Sequence, residues 1–157
     1  MALANVKSAG VFGIDGYTVE VETDSYNGMP GIEIVGLPDN AVKESKERVK
    51  SAIKNSGYNF PQKRIIINLA PANVKKEGVY LDLPIACAIL ISSGQIQPNA
   101  ADGFLIVGEL ALDGSLRPAS GILSMAVAAR QMGLKNIIIP YENAKEAAVV
   151  DGINVYG

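Results

Sequence analysis

Hydrophobic and polar positions alternate with period two near the start of the chain and shift to helical spacing further on. "VKSAGVFGIDGYTVEVETD" predicts two strands around a turn at Asp15-Gly16, with Tyr17, Val19 and Val21 set against Thr18, Glu20 and Glu22. "SYNGMPG" reads as a loop and "GIEIVG" as a third strand. Pro38-Asp39-Asn40 then opens a helix that runs to about Asn55, stops at Gly57 and buries Val42, Val49, Ala52 and Ile53. "KRIIINLAP" does not alternate, which predicts a strand covered on both faces. "FLIVGELALDGSLRP" predicts a hairpin with a two-residue Asp113-Gly114 turn, across which Glu109 and Arg117 meet on a diagonal and steady the fold. Helices at about 121–132 and 142–150 flank the strand "NIIIP", and "INVY" closes the chain. Early hairpins followed by strand–helix alternation predict an α+β fold, a sandwich of mixed sheet and helices.

The segment "KKEGVYLDLPIACAILISSG" places one acid, Asp82, and one proline, Pro84, just ahead of an apolar block. Leu83 to Ile91 is apolar throughout, so its helix is buried on most faces, and Gly94 suits the end. Asp82 is expected to cap the helix by accepting backbone N–H bonds, with Pro84 in the first turn, where a missing donor costs nothing.

Composition narrows the chemistry. The chain has 157 residues, 48% of them hydrophobic, enough for one sizeable core. It has no histidine, which excludes His-activated nucleophiles and His-based metal sites. The single cysteine, Cys87, falls in the apolar block and reads as core. No apolar run reaches the length of a membrane span and the N-terminus lacks a signal-peptide layout, so a cytoplasmic protein without membrane contact is expected. The net charge of −2 hides an asymmetry. Residues 43–76 hold nine basic and two acidic side chains, +7, while the remainder holds five basic and fourteen acidic, −9. A localised anion-binding face is therefore compatible with an acidic chain.

Three stretches carry a resemblance: "GMPGIEIVGLPDNAVKESKERVKSAIKNSGYNFPQKRIIINLAPANVKKEG", "YLDLPIACAIL" and "FLIVGELALDGSLRPASGILSMAVAAR". In this order they resemble the N-terminal region of the ComM/YifB family, the magnesium-chelatase-like AAA+ ATPases. The resemblance implies that residues 1–157 form a single Lon-like N-terminal domain of a longer protein. An ATPase module, which would bind ATP and Mg, and a C-terminal domain would follow it. It implies the fold of the Lon proteolytic domain, related to the second domain of ribosomal protein S5.

Lon peptidases carry their serine in a "DGPSAG" loop before a buried helix and their lysine in a "P-x-G-G-[LI]-K" stretch. In this sequence "EGVYLDLPIA" falls at the serine loop, with Tyr80 to Asp82 around the nucleophile, and "PASGIL" falls at the lysine motif, with Leu123 in place of the lysine. A Ser-Lys dyad needs a hydroxyl within reach of a neutral amine, and leucine accepts no proton. Asp82 and Leu123 thus mark degenerate peptidase positions, and no catalytic residue, cofactor site or metal site is expected in this chain. It also lacks G-x-x-x-x-G-K-[ST], so nucleotide hydrolysis belongs to the ATPase module.

The remaining candidate is the basic face. Lys46, Lys50 and Lys54 stack along one side of the helix at four-residue spacing. Lys43, Arg48, Lys63, Arg64, Lys75 and Lys76 extend the field if they fall on the same side. Phosphate neutralisation by such a face gives salt-dependent, non-specific binding to single- or double-stranded DNA. The resemblance to ring helicases that drive branch migration in recombination and natural transformation favours that use. Solvation alone also accounts for a charged helix face. So does assembly, in which the basic helix meets the acidic remainder of a neighbouring subunit in a hexameric ring or packs with the chain's own AAA+ module. The sequence holds no base-reading motif and no aromatic interleaving.

Overall fold

A computed structural model describes residues 3–12 and 15–157. Strands β1 (Leu3–Phe12) and β2 (Asp15–Tyr26) pair antiparallel, and β2 pairs antiparallel with β4 (Arg64–Ala70). β3 (Gly31–Val35) lies parallel to β4 at one edge. On the other side β5 (Phe104–Ile106), β8 (Asn136–Ile138) and β9 (Asn154–Tyr156) add parallel strands. The resulting seven-stranded mixed sheet has the order β3-β4-β2-β1-β5-β8-β9. A separate ribbon is formed by β6 (Glu109–Leu110) and β7 (Leu116–Arg117).

Helices cover the sheet unevenly. α1 (Asn40–Asn55) and α2 (Asp82–Ser92) share a core with Val6, Val21, Ile65, Ile67 and Leu69 on one face. α3 (Ile122–Gln131) packs with Ala9, Leu105, Ile137 and Ile139 on the opposite face. The short helix α4 (Ala144–Ala147), entered through a 3-10 turn at Tyr141–Asn143, joins that second core. A mixed sheet with helices packed on both faces is consistent with the expected α+β class. No helix among the described residues is long and apolar enough to cross a membrane.

Several local expectations need correcting. Asp15 and Gly16 belong to β2, opposite Phe12 and Val11, so the turn does not lie on them. Gly16 serves packing instead: a Cβ there would lie 2.5 Å from the Ser124 carbonyl oxygen of α3. β4 buries Ile65, Ile67 and Leu69 but leaves Ile66 half-exposed, because α3 covers the β1 and β2 part of that face rather than β4. "FLIVGELAL" is not one strand. β5 joins the main sheet, and Gly108 follows it in extended chain whose N–H donates to the Tyr80 carbonyl. Five residues connect β6 to β7; the Ala111 N–H donates to the Ser115 carbonyl, which leaves Leu112 to Gly114 as a three-residue tip with Gly114 in a left-handed conformation (φ 93°). The extra loop residue puts Glu109 directly opposite Arg117 rather than on a diagonal, with Arg117 Nε 3.7 Å from Glu109 Oε2.

Candidate nucleic-acid interface

Helix α1 starts where Asp39 accepts the Val42 N–H on Oδ1 at 2.8 Å, and Gly57 (φ 89°) follows its end. Val42, Ser45, Val49, Ala52 and Ile53 face inward. One outward flank carries Lys43, Lys46, Lys50 and Lys54, of which Lys46 is half-buried, and none of the four has an ion-pair partner among the described residues. Glu47 interrupts this stripe, so it carries four ammonium groups and one carboxylate. Lys46 and Lys50 line a cleft of about 260 Å³ between α1, β3 and the loop before β4, and Lys50 Nζ lies 5.8 Å from the centroid of the half-buried Phe60 ring.

The other basic candidates are dispersed. Lys63 is exposed at the start of β4, beside the cleft-lining Gln62. Arg64 projects from the sheet face opposite α1, since its neighbour Ile65 faces the α1–α2 core, and it donates to Glu33 Oε2 at 2.6 Å. Lys75 is exposed near the far end of the sheet, 3.9 Å from Glu77. Lys76 is fully buried, and its Nζ donates to the carbonyls of Gly36, at 2.8 Å, and Pro71. Its backbone N–H holds Leu37 O and its own carbonyl receives the Asp39 N–H. Gly36 (φ 105°) and Leu37 (φ 59°) are both in the left-handed region, a strained conformation for leucine. Lys76 therefore clasps a strained turn, and burial lowers its pKa.

Arg48 turns inward, and Asp82 explains why. Asp82 is fully buried and does not cap its own helix: Leu81 is the N-cap residue, with no side-chain bond. The carboxylate reaches across instead, accepting from Ser45 Oγ (2.5 Å), Arg48 Nε (2.6 Å), Arg48 Nη2 (3.0 Å) and the Leu110 N–H (3.1 Å). Hydrogen bonding to Asp82 raises the Arg48 pKa still further, against partial burial. A buried carboxylate must find several donors, and all four lie on α1 and β6 rather than in its own first turn. One acid thus ties α1, α2 and the β6–β7 ribbon together.

Where the two stretches set against the peptidase motifs meet, Tyr80 Oη and Ser120 Oγ lie 2.9 Å apart. Leu123 is 41% exposed on the first turn of α3, and its backbone N–H donates to Glu146 Oε2. Asn143 braces this turn through both Ala119 backbone groups. The structure thus juxtaposes a phenol and a hydroxyl where the two motif stretches meet. Sequence spacing gave no sign of the Tyr80–Ser120 pair, which lies forty residues apart. Phe60 was also missed, because a lone aromatic after "SGYN" shows no periodicity.

The family model for subunit ChlI of Mg-chelatase matches residues 21–143. The chain belongs to this family. It is 46% identical over 150 residues to the protein YifB of Salmonella typhimurium, covering 96% of this chain and 29% of that protein. It is 43% identical over 156 residues to the competence protein ComM of Haemophilus influenzae, covering 99% of this chain and 30% of ComM. A weaker similarity, 30% over 142 residues, links 86% of the chain to 17% of the Lon protease of Mycoplasma mycoides. The chain thus spans about 30% of the length of the ComM and YifB proteins it matches.

Proposed function

We propose that this chain is a Lon-like accessory domain, of the type found in the second domain of ribosomal protein S5, within a ComM-type AAA+ DNA motor. Its contribution is non-specific DNA contact and ring assembly, in the cytoplasm. The ATPase module of the longer protein would hold ATP and Mg. The observation that carries the DNA reading is the outer stripe of α1, where Lys43, Lys46, Lys50 and Lys54 have no ion-pair partner among the described residues. Ammonium groups left unneutralised by their own chain are available to phosphate. Peptidase chemistry is disfavoured, because Leu123 occupies the lysine position and the buried amine of Lys76 is engaged with Gly36 and Pro71.

A second observation favours assembly. The sheet face opposite α1 carries Glu20, Glu22, Asp24 and Glu33 against Arg64, with Lys7 of β1 paired to Glu20, so the two sides of the β3-β4-β2 half bear opposite net charge. Titrating labelled single- and double-stranded DNA against the chain at several salt concentrations tests the DNA contact. Affinity should fall steeply as salt rises. Absence of binding at low salt, or binding indifferent to Glu at positions 46, 50 and 54, would sink it. Light scattering of mixtures with the ATPase module tests assembly, and casein cleavage lost in Ser120→Ala would overturn the claim of peptidase inertness.

A further inference from the structure

The cleft beside α1 has features that phosphate neutralisation alone does not require. One wall is α1, with Lys46 and Lys50; the other is β3 and the loop before β4, with Ile32, Phe60, Pro61 and Gln62. The Phe60 ring is half-buried against the core, so its orientation is set by packing. The loop is pinned on both sides of the ring. Asn59 exchanges two hydrogen bonds with the Gln95 side chain, its N–H to Oε1 at 2.9 Å and its carbonyl from Nε2 at 2.8 Å. Gly31 donates its N–H to the Lys63 carbonyl at 3.3 Å. The cleft is therefore pre-organised, with an apolar floor, a side-chain amide and two ammonium groups at its lip.

From this geometry we infer that the cleft is a subsite for one nucleotide of single-stranded DNA. The inference rests on the DNA-contact reading above and deepens it. The base lies against Phe60, Ile32 and Pro61, displacing the Lys50 ammonium from over the ring to a flanking phosphate, and Lys46 meets the other. Gln62 offers a donor and an acceptor to any base edge, which makes the site tolerant of sequence. Glu47 also lines the cleft, leaving two ammonium groups against one carboxylate. A base inside a duplex has both faces stacked and cannot enter, so the cleft selects single strands, while the rest of the lysine stripe serves either form.

Fluorescence anisotropy with a labelled thymidine homopolymer and its duplex, against the whole chain, separates the two ideas. The single strand is expected to bind about fivefold or more tighter than the duplex, and Phe60→Leu to remove that advantage while leaving duplex affinity and the salt slope unchanged. Phe60→Tyr keeps an aromatic face and should keep the advantage. K46E/K50E should weaken both forms and lower the salt slope by about two. A strand substituted with iodouracil, irradiated with the unmutated chain, should crosslink at Phe60, which tests the site without a variant that has to fold. Equal affinity for both forms, an unchanged single-strand affinity in Phe60→Leu, or crosslinks only elsewhere would overturn the subsite and leave the phosphate-contact reading standing. Binding of neither form would bring down both.

Discussion

The two sides of helix α1 make opposite use of charge. On the inner side, Ser45 and Arg48 converge on the buried Asp82, and each oxygen of that carboxylate is engaged. On the outer side, four lysines share the surface with Glu44 and Glu47 and form no ion pair among the described residues. Desolvation enforces the inner pairing, because a buried charge without partners costs several kcal/mol. Water removes that compulsion outside, where an isolated lysine costs almost nothing and repulsion along the helix costs about 0.2–0.5 kcal/mol per pair. The inner charges therefore hold the architecture, and the outer ones are free for a ligand.

That contrast fails first if Asp82→Ala is mild. Removing the carboxylate leaves Arg48 and the Leu110 N–H short of a partner, and an expected loss of about 3–5 kcal/mol should appear as a lower denaturant midpoint. Replacing both members, as Asp82→Leu with Arg48→Met, should recover part of that loss. Next comes Lys76→Met, which leaves the Gly36 and Pro71 carbonyls without their amine and releases the strained turn. About 1–3 kcal/mol is expected by the same measurement.

A smaller effect follows from Cys87, whose thiol burial pushes up to about 11 from an ordinary 9.0. Between those values the unfolded chain has lost the proton and the folded chain keeps it, so stability falls as pH rises from about 9 toward 11. Cys87 keeps some solvent contact, which holds the loss to about 1 kcal/mol, and a comparison with Cys87→Ala across that window isolates it. Glu109→Gln breaks the ion pair to Arg117, whose side chain is 60% exposed, and should cost about 0.5 kcal/mol or less. Least of all, Glu at positions 43, 46, 50 and 54 together should shift stability by only about 0.5 kcal/mol while abolishing DNA binding. A large loss of stability there would mean the stripe is architectural after all.

Much of the scaffold was legible because its signals are local. The Asp39 cap, the inward stripe of α1, the Gly57 and Gly94 stops and the alternation of β2 each depend on residues a few positions apart. Asp82 was misread for the complementary reason. Its position and type fit a helix cap, but its partners come from residues 45, 48 and 110, which no local rule brings together. The basic cluster fared likewise. Sequence counting groups nine cations, whereas the period-two geometry of β4 sends Arg64 to the opposite face and the turn at Gly36-Leu37 draws Lys76 inside. Phe60 enters the candidate site only through the placement of a loop that Gln95, thirty-five residues downstream, holds from the turn after α2.

The clasp at the start of α1 has a mechanical consequence. Asp39 donates its N–H to the Lys76 carbonyl and accepts the Gly78 N–H on Oδ2, while Lys76 donates its own N–H to Leu37 O and its ammonium to the Gly36 and Pro71 carbonyls. Half-way along the helix, Asp82 grips it again. Tension applied to the outer side of α1 would thus be resisted at two points, both leading into the segment that enters α2. Helix α1 is anchored like a cleat on a hull: a pull on it is a pull on the whole body.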